Sequence, residues 1–160
     1  MTAVERVVFD CNVLFQALVS PGGPARKLVE LAGEGTLALY SSSYVLDELK
    51  DVVSRPKIQK QFVLSDVAVT KFFDLIAVCA TMLDDVVHVY DLPRDPKDAH
   101  YVDLAVAAKA KLIVSRDKDL LALRDDTTAE GRDFHARFPE IQVLTPPELL
   151  ALIIESRNIA

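Results

Sequence analysis

The chain has 160 residues, with 18 Lys and Arg against 24 Asp and Glu, for a formal net charge of −6. At 51% hydrophobic and 26% charged it has the make-up of a single globular domain, expected over residues 1–160, and its acidic balance argues against charge-driven binding to duplex DNA. Two cysteines, Cys11 and Cys79, exclude a disulfide framework and the usual zinc modules, and they suit a reducing, cytoplasmic setting.

The start, MTAVERVVFD, lacks the basic-then-apolar pattern of a signal peptide. Val4–Phe9 is predicted as a buried strand. Pro24 suits the start of a helix over Ala25–Gly33, in which Leu28, Leu31 and Ala32 share a face. Thr36–Tyr40 is predicted as a second strand. Ser41, Ser42 and Ser43 offer N-caps for a helix over Tyr44–Val53, stopped at Arg55-Pro56. Ser65-Asp66 caps a long helix to about Leu83. Its apolar stretch, Leu75 to Leu83, is nine residues, against the roughly 20 that cross a bilayer, so no membrane association is expected.

Val86–Val89 is predicted as the third strand. Asp95-Pro96-Lys97-Asp98 has the form of a helix start, and the helix to about Ala110 is apolar nearly all round, hence buried. Leu112–Ser115 is the fourth strand. Residues 125–140, polar and irregular, are expected to be a long loop. Ile141–Leu144 is the fifth strand, and Thr145-Pro146-Pro147-Glu148 is a capping box opening a helix over Leu149–Glu155. Strands alternating with helices imply an α/β fold with a parallel sheet covered on both faces.

Ligands of such sheets bind beyond the carboxyl ends of the strands. Asp10 ends the first strand, Asp98 follows the third, and Asp117 ends the fourth. Glu48 sits at the margin of the apolar arc of its helix, beside Val45 and Val52. Clustered acids repel and raise one another's pKa, a cost that a hard divalent cation reverses. Such an ion takes oxygen ligands, orients a phosphodiester and stabilises charge on phosphorus; one ion and two remain alternatives. Each acid also has a plainer role: Asp98 as a helix cap, Asp117 as the N-cap of a short helix over Lys118–Leu123, Glu48 as a solvated helix acid. Capping and metal binding are compatible.

Five blocks carry a resemblance: Val7-Val8-Phe9-Asp10-Cys11-Asn12-Val13-Leu14, Ser43-Tyr44-Val45-Leu46-Asp47-Glu48-Leu49, Asp95-Pro96-Lys97-Asp98, Ile113-Val114-Ser115-Arg116-Asp117-Lys118-Asp119-Leu120-Leu121, and Val143-Leu144-Thr145-Pro146-Pro147-Glu148-Leu149-Leu150. In this order and spacing, they make the chain resemble PIN-domain ribonucleases, especially the VapC-like toxins of toxin–antitoxin pairs. The resemblance implies a PIN-like α/β/α sandwich with a central, mostly parallel sheet of four to five strands. It implies hydrolysis of RNA phosphodiester bonds with Mg2+ or Mn2+ held by Asp10, Glu48, Asp98 and Asp117, supported by Asn12 and Ser115. Asp119 competes with Asp117 for the fourth place. It also implies a homodimer, to which the 66–83 helix is a candidate contributor, and an antitoxin protein as partner. Cys11 stands where the family commonly has Thr, with its side chain expected to point away from the site, and the 125–140 segment is longer than usual.

Arg94, Lys97, Arg116 and Lys118 flank the proposed site and are candidates for RNA phosphate contacts; Arg55, Lys57 and Lys60 read as a solvated face. His88, His100 and His135 lack zinc-ligand spacing; only His100 lies near the site. Asp103 lies about 140° around the helix from Asp98 and is expected to make a polar contact to a neighbouring helix. Two other readings stand beside the nuclease: a noncatalytic RNA- or protein-binding module, and a haloacid-dehalogenase-like phosphatase. The second wants another Asp where this chain has Asn12.

Overall fold

Val7, Val8 and Phe9 point alternately to opposite faces of a strand, and all three are buried. That pattern requires cover on both sides, and it describes β1, Glu5–Phe9. The computed structural model describes residues 4–92 and 94–159. In it β1 pairs in parallel with β2 (Leu37–Ser41) on one side and β4 (Leu112–Val114) on the other. β3 (Ala80–Met82) adds beyond β2, and β5 (Gln142–Leu144) beyond β4. The order is β3-β2-β1-β4-β5, with every pairing parallel.

The helices are α1 (Cys11–Val19), α2 (Pro24–Gly33), α3 (Ser43–Ser54), α4 (Pro56–Phe62), α5 (Asp66–Cys79), α6 (Ala99–Ala108), α7 (Lys118–Leu121), α8 (Ala129–Arg137) and α9 (Pro146–Ile159). α6 lies across β1, β2 and β4, while α2 packs on β2, α1, α5 and α9. The expected α/β architecture with a parallel sheet is thus present. Among the described residues no helix is long and apolar enough to cross a membrane.

Three expectations are corrected. The long helix stops at Cys79, not near Leu83, because Ala80 turns extended (φ −107°, ψ 145°) and Ala80–Met82 pairs with Leu39–Ser41 as the edge strand. The third strand is therefore Ala80–Met82, not Val86–Val89. The Val86–Val89 segment belongs to a loop whose amides at Val89 and Tyr90 bond to the Asp103 carboxylate instead of a sheet.

The expected 125–140 loop contains α8. Thr128 Oγ caps it by accepting from Gly131 N at 3.0 Å, and buried Phe134 packs against Tyr90 and Phe138 with ring centroids 5.8 and 5.6 Å away. One buried aromatic on an otherwise polar helix leaves little periodicity to read. A Cβ at Gly131 would stand 1.9 Å from Asp125 O and 2.7 Å from the carbonyl carbon. Backbone cannot yield cheaply, so Gly131→Ala is expected to cost about 2 kcal/mol in a urea titration.

Candidate active site

Strand order reverses at β1, since β2 and β3 lie on one side of it and β4 and β5 on the other. The carboxyl ends of β1 and β4 therefore form the switch point at which sheets of this kind bind ligands. Asp10 and Ser115 are the residues that follow those two strand ends.

Asp10 is 2% exposed and caps α1, its Oδ1 accepting from Val13 N at 2.8 Å. Its Oδ2 accepts from the Ser115 hydroxyl, and Ser115 Oγ accepts from Asp117 N at 2.9 Å. A short chain of hydrogen bonds thus links the ends of both strands to the start of α7. Asp117 is itself a cap: its Oδ1 accepts from Asp119 N at 2.8 Å and Leu120 N at 3.4 Å.

Glu48 reaches the site from the half-buried side of α3. Tyr101 OH donates to Glu48 Oε1 at 3.3 Å and accepts from Cys11 N at 2.9 Å, which ties α3 to the residue after Asp10. His100 Nε2 stands 2.7 Å from the same Glu48 oxygen, close enough for an ion pair but off the line of a hydrogen bond. The Cys11 side chain is buried in the core, and burial first, then the charges of Glu48 and Asp10, push its thiol up to about 12.

Asp98 ends the one-turn Pro96–Asp98 helix that leads into α6, with Asp95 rather than Asp98 capping that turn through Lys97 N at 3.1 Å. Its Oδ2 is buried and has no hydrogen-bond partner among the described residues. Desolvation first, then the charges of Asp117, Asp95, Asp10 and Glu48, push the Asp98 carboxyl up to about 7. Burial likewise raises Asp10 to about 6, against the pull of Ser115 and Val13 N, with Asp117 and Glu48 adding repulsion. Asp10 and Asp98 each feel the charges of Asp117 and Glu48. Asp119 is not among the chief causes of either shift.

Among the described residues, no three acid, histidine or cysteine side chains close to the spacing that would ligate one ion. The donor set nevertheless fits a hard cation: carboxylate oxygens, one of them buried without a partner, in mutual repulsion. Asn12 is exposed, and the side-chain and amide bonds to Asp10 come from Ser115 and Val13. Lys97, Arg116 and Lys118 are exposed, whereas Arg94 is committed to Glu130 of α8 at 2.9 Å.

Sequence reasoning missed Tyr101 and gave His100 little. Tyr101 lies three residues after Asp98, so both fall on one face of that helical turn, but its apolar helix made it look like core. Asp103 also differs from expectation. Its polar contact goes to the loop at 88–90, not to a helix.

A family model described as a PIN domain matches residues 6–119. An uncharacterized protein of Methanocaldococcus jannaschii is 27% identical over 146 residues, covering 91% of this chain and 89% of that protein. VapBC2 from Rickettsia felis, solved bound to a DNA fragment from its promoter, includes a chain that superposes with a TM-score of 0.53 at 15% identity, over 88% of this chain and 98% of that one. At that identity the likeness shows the fold.

Proposed function

The chain belongs to the PIN-domain family, and from the chemistry of its acids we propose that it is a metal-dependent endoribonuclease. PIN domains are generally nucleases. The observation that carries the finer reading is Asp98 Oδ2, a buried carboxylate oxygen without a partner among the described residues, under the charge of Asp117, Asp10 and Glu48. Such a group calls for a cation, and Asp10, Glu48, Asp98 and Asp117 are the residues that would hold Mg2+ or Mn2+. When bound, the ion would supply Lewis acidity at a phosphodiester of RNA.

The chain's own residues have distinct tasks in this reading. Ser115 and the Val13 amide orient both oxygens of Asp10. Tyr101 holds Glu48 toward Asp10. Asp117 is favoured over Asp119 as the fourth acid, because its charge acts on both Asp10 and Asp98. Asn12, exposed two residues after Asp10, would support the acids by hydrogen bonds. Lys97, Arg116 and Lys118 are exposed and available for phosphates, and Arg94 becomes available if it leaves Glu130. An antitoxin partner, a homodimer and a cytoplasmic setting complete the proposal; the fold likeness to VapBC2 supports the first.

The test is a metal titration with labelled single-stranded RNA. Cleavage is expected with Mg2+ or Mn2+ and not with EDTA, and Asp98→Asn should remove it with the circular dichroism spectrum unchanged. Equal cleavage by that variant would overturn the proposal. Phosphate release from small monoesters without RNA cleavage would favour a phosphatase.

A further inference from the structure

Beside Glu48 lies a hollow that the acids leave unused. It has a volume of about 340 Å³ and is lined in part by Ser43, Tyr44, His100, Asp84 and Asp85. Tyr44 is one helical turn before Glu48, so the two share a face of α3. Its ring is 55% exposed and rests on His100 with centroids 4.2 Å apart and a tilt of 60°. His100 in turn stacks on buried Tyr101 at 3.9 Å. A row of three rings thus runs from the core, past the Glu48 carboxylate, to an open aromatic surface.

We infer that this hollow is a nucleobase subsite, in which Tyr44 stacks a base of the substrate strand and Asp84 and Asp85 select guanine. The inference rests on the nuclease reading for the identity of the polymer. Unpaired RNA bases splay onto aromatic side chains and are read at their exposed edges. A cavity of this size takes one base. Carboxylates accept hydrogen bonds and donate none, so the hollow repels phosphate and favours an edge of adjacent donors. Guanine offers two such donors, its N1–H and its amino group, to a single carboxylate. The backbone of the same strand would then run past the carboxylates rather than into the hollow.

The experiment has two arms. In the first, KM and kcat are measured on single-stranded RNAs differing in one base beside the cut, for the wild type, Tyr44→Ala, Tyr44→Phe and the Asp84→Asn/Asp85→Asn double variant. Tyr44→Ala is expected to raise KM about tenfold or more, in line with the loss of one base stack, and Tyr44→Phe to restore most of it. The double variant should erase a preference for guanine. In the second arm, guanosine, adenosine, cytidine and uridine monophosphates are titrated without metal while the Tyr44 ring resonances are followed by NMR. Only the guanosine nucleotide should shift them at low concentration.

Unchanged KM and base preference in Tyr44→Ala, with cleavage intact, would overturn the subsite and leave the nuclease standing. A wild type that cuts no RNA, yet binds guanosine monophosphate through Tyr44, would keep the subsite and remove the nuclease. Tyr44-dependent binding of an arginine-rich peptide, with no nucleotide bound, would overturn it in favour of a protein partner.

Discussion

Asp10→Asn is expected to be inactive toward RNA and more stable than the wild type at pH 8 in EDTA. Asp10 is buried, and its carboxyl is raised from 3.8 to about 6, chiefly by desolvation. A carboxyl whose folded pKa lies above its unfolded value favours folding when protonated. Stability is therefore greatest below pH 3.8, falls as pH rises toward 6, and stays reduced above it. At 1.36 kcal/mol per pKa unit, the ionised group costs about 3 kcal/mol at pH 8. The amide carries no charge, and its oxygen still accepts from Val13 N. The Ser115 hydroxyl must reorient to meet an amide donor, which takes back about 1 kcal/mol. A gain of about 2 kcal/mol should appear as a higher urea midpoint at pH 8 and vanish near pH 3.5.

Activity should fall on the order of 100-fold at the least, because loss of even an outer partner of a metal ligand costs about 10–100-fold. The wild type should recover stability when Mn2+ is added, by mass action on the folded state, and Asp10→Asn should recover less. A variant less stable than the wild type at pH 8 would mean that the Asp10 charge is not a cost to the fold. A site that destabilises its own protein until a cation or substrate arrives is a mark of function rather than of packing.

Much of this was legible in the residues. A strand ending in an acid and a short strand running into Ser115-Arg116-Asp117 point to one sheet end from connection rules alone, whereas the placing of Asp98 leaned on a third strand at Val86–Val89 that does not form. The capping box at Thr145 and Glu148 forms as written, with Thr145 N donating to Glu148 Oε1 at 3.2 Å and Glu148 N donating to Thr145 Oγ1 at 3.4 Å. What stayed hidden depends on distant partners. α1, absent from the expected elements, follows Asp10 without a break, and its stripe of Val13, Leu14, Ala17 and Leu18 continues the apolar run of β1. Arg55-Pro56 ends the preceding helix as expected, and Pro56 is also the first residue of α4. Val86–Val89 has strand composition, but the place beside β2 is taken by the shorter Ala80–Met82. The bridge from Tyr101 to Glu48 spans 53 positions, and no local pattern encodes it.

Asp103→Ala is expected to destabilise the fold by about 3 kcal/mol. The carboxylate is 4% exposed, and its Oδ1 accepts from Val89 N at 2.9 Å and from Tyr90 N at 3.0 Å. Both amides belong to a stretch without regular structure, so no neighbouring strand can take them over. An unpaired buried amide costs about 1–3 kcal/mol, and alanine leaves two. The same loop carries buried Tyr90, which packs on Phe138 with ring centroids 5.5 Å apart and lies under the Arg137 guanidinium, so α8 should loosen with it.

Asp103→Asn separates the accepting oxygen from the charge. Its oxygen can hold both amides, while His88, whose Nδ1 lies 2.7 Å from Asp103 Oδ2, loses an anion. Asp103 first and Asp91 second hold the exposed His88 ring above its usual pKa. For a raised histidine, the stabilisation is complete below pH 6.5 and is lost as pH rises through the folded pKa. The difference in urea midpoint between the wild type and Asp103→Asn should therefore be larger at pH 6 than at pH 9, whereas that for Asp103→Ala should stay large at both. If Asp103→Asn matched Asp103→Ala at pH 9, charge rather than the accepting oxygen would be what holds the loop. Because Asp103 and Asp84 line the same hollow, loss of the two amide bonds in Asp103→Ala should also weaken guanosine monophosphate binding there.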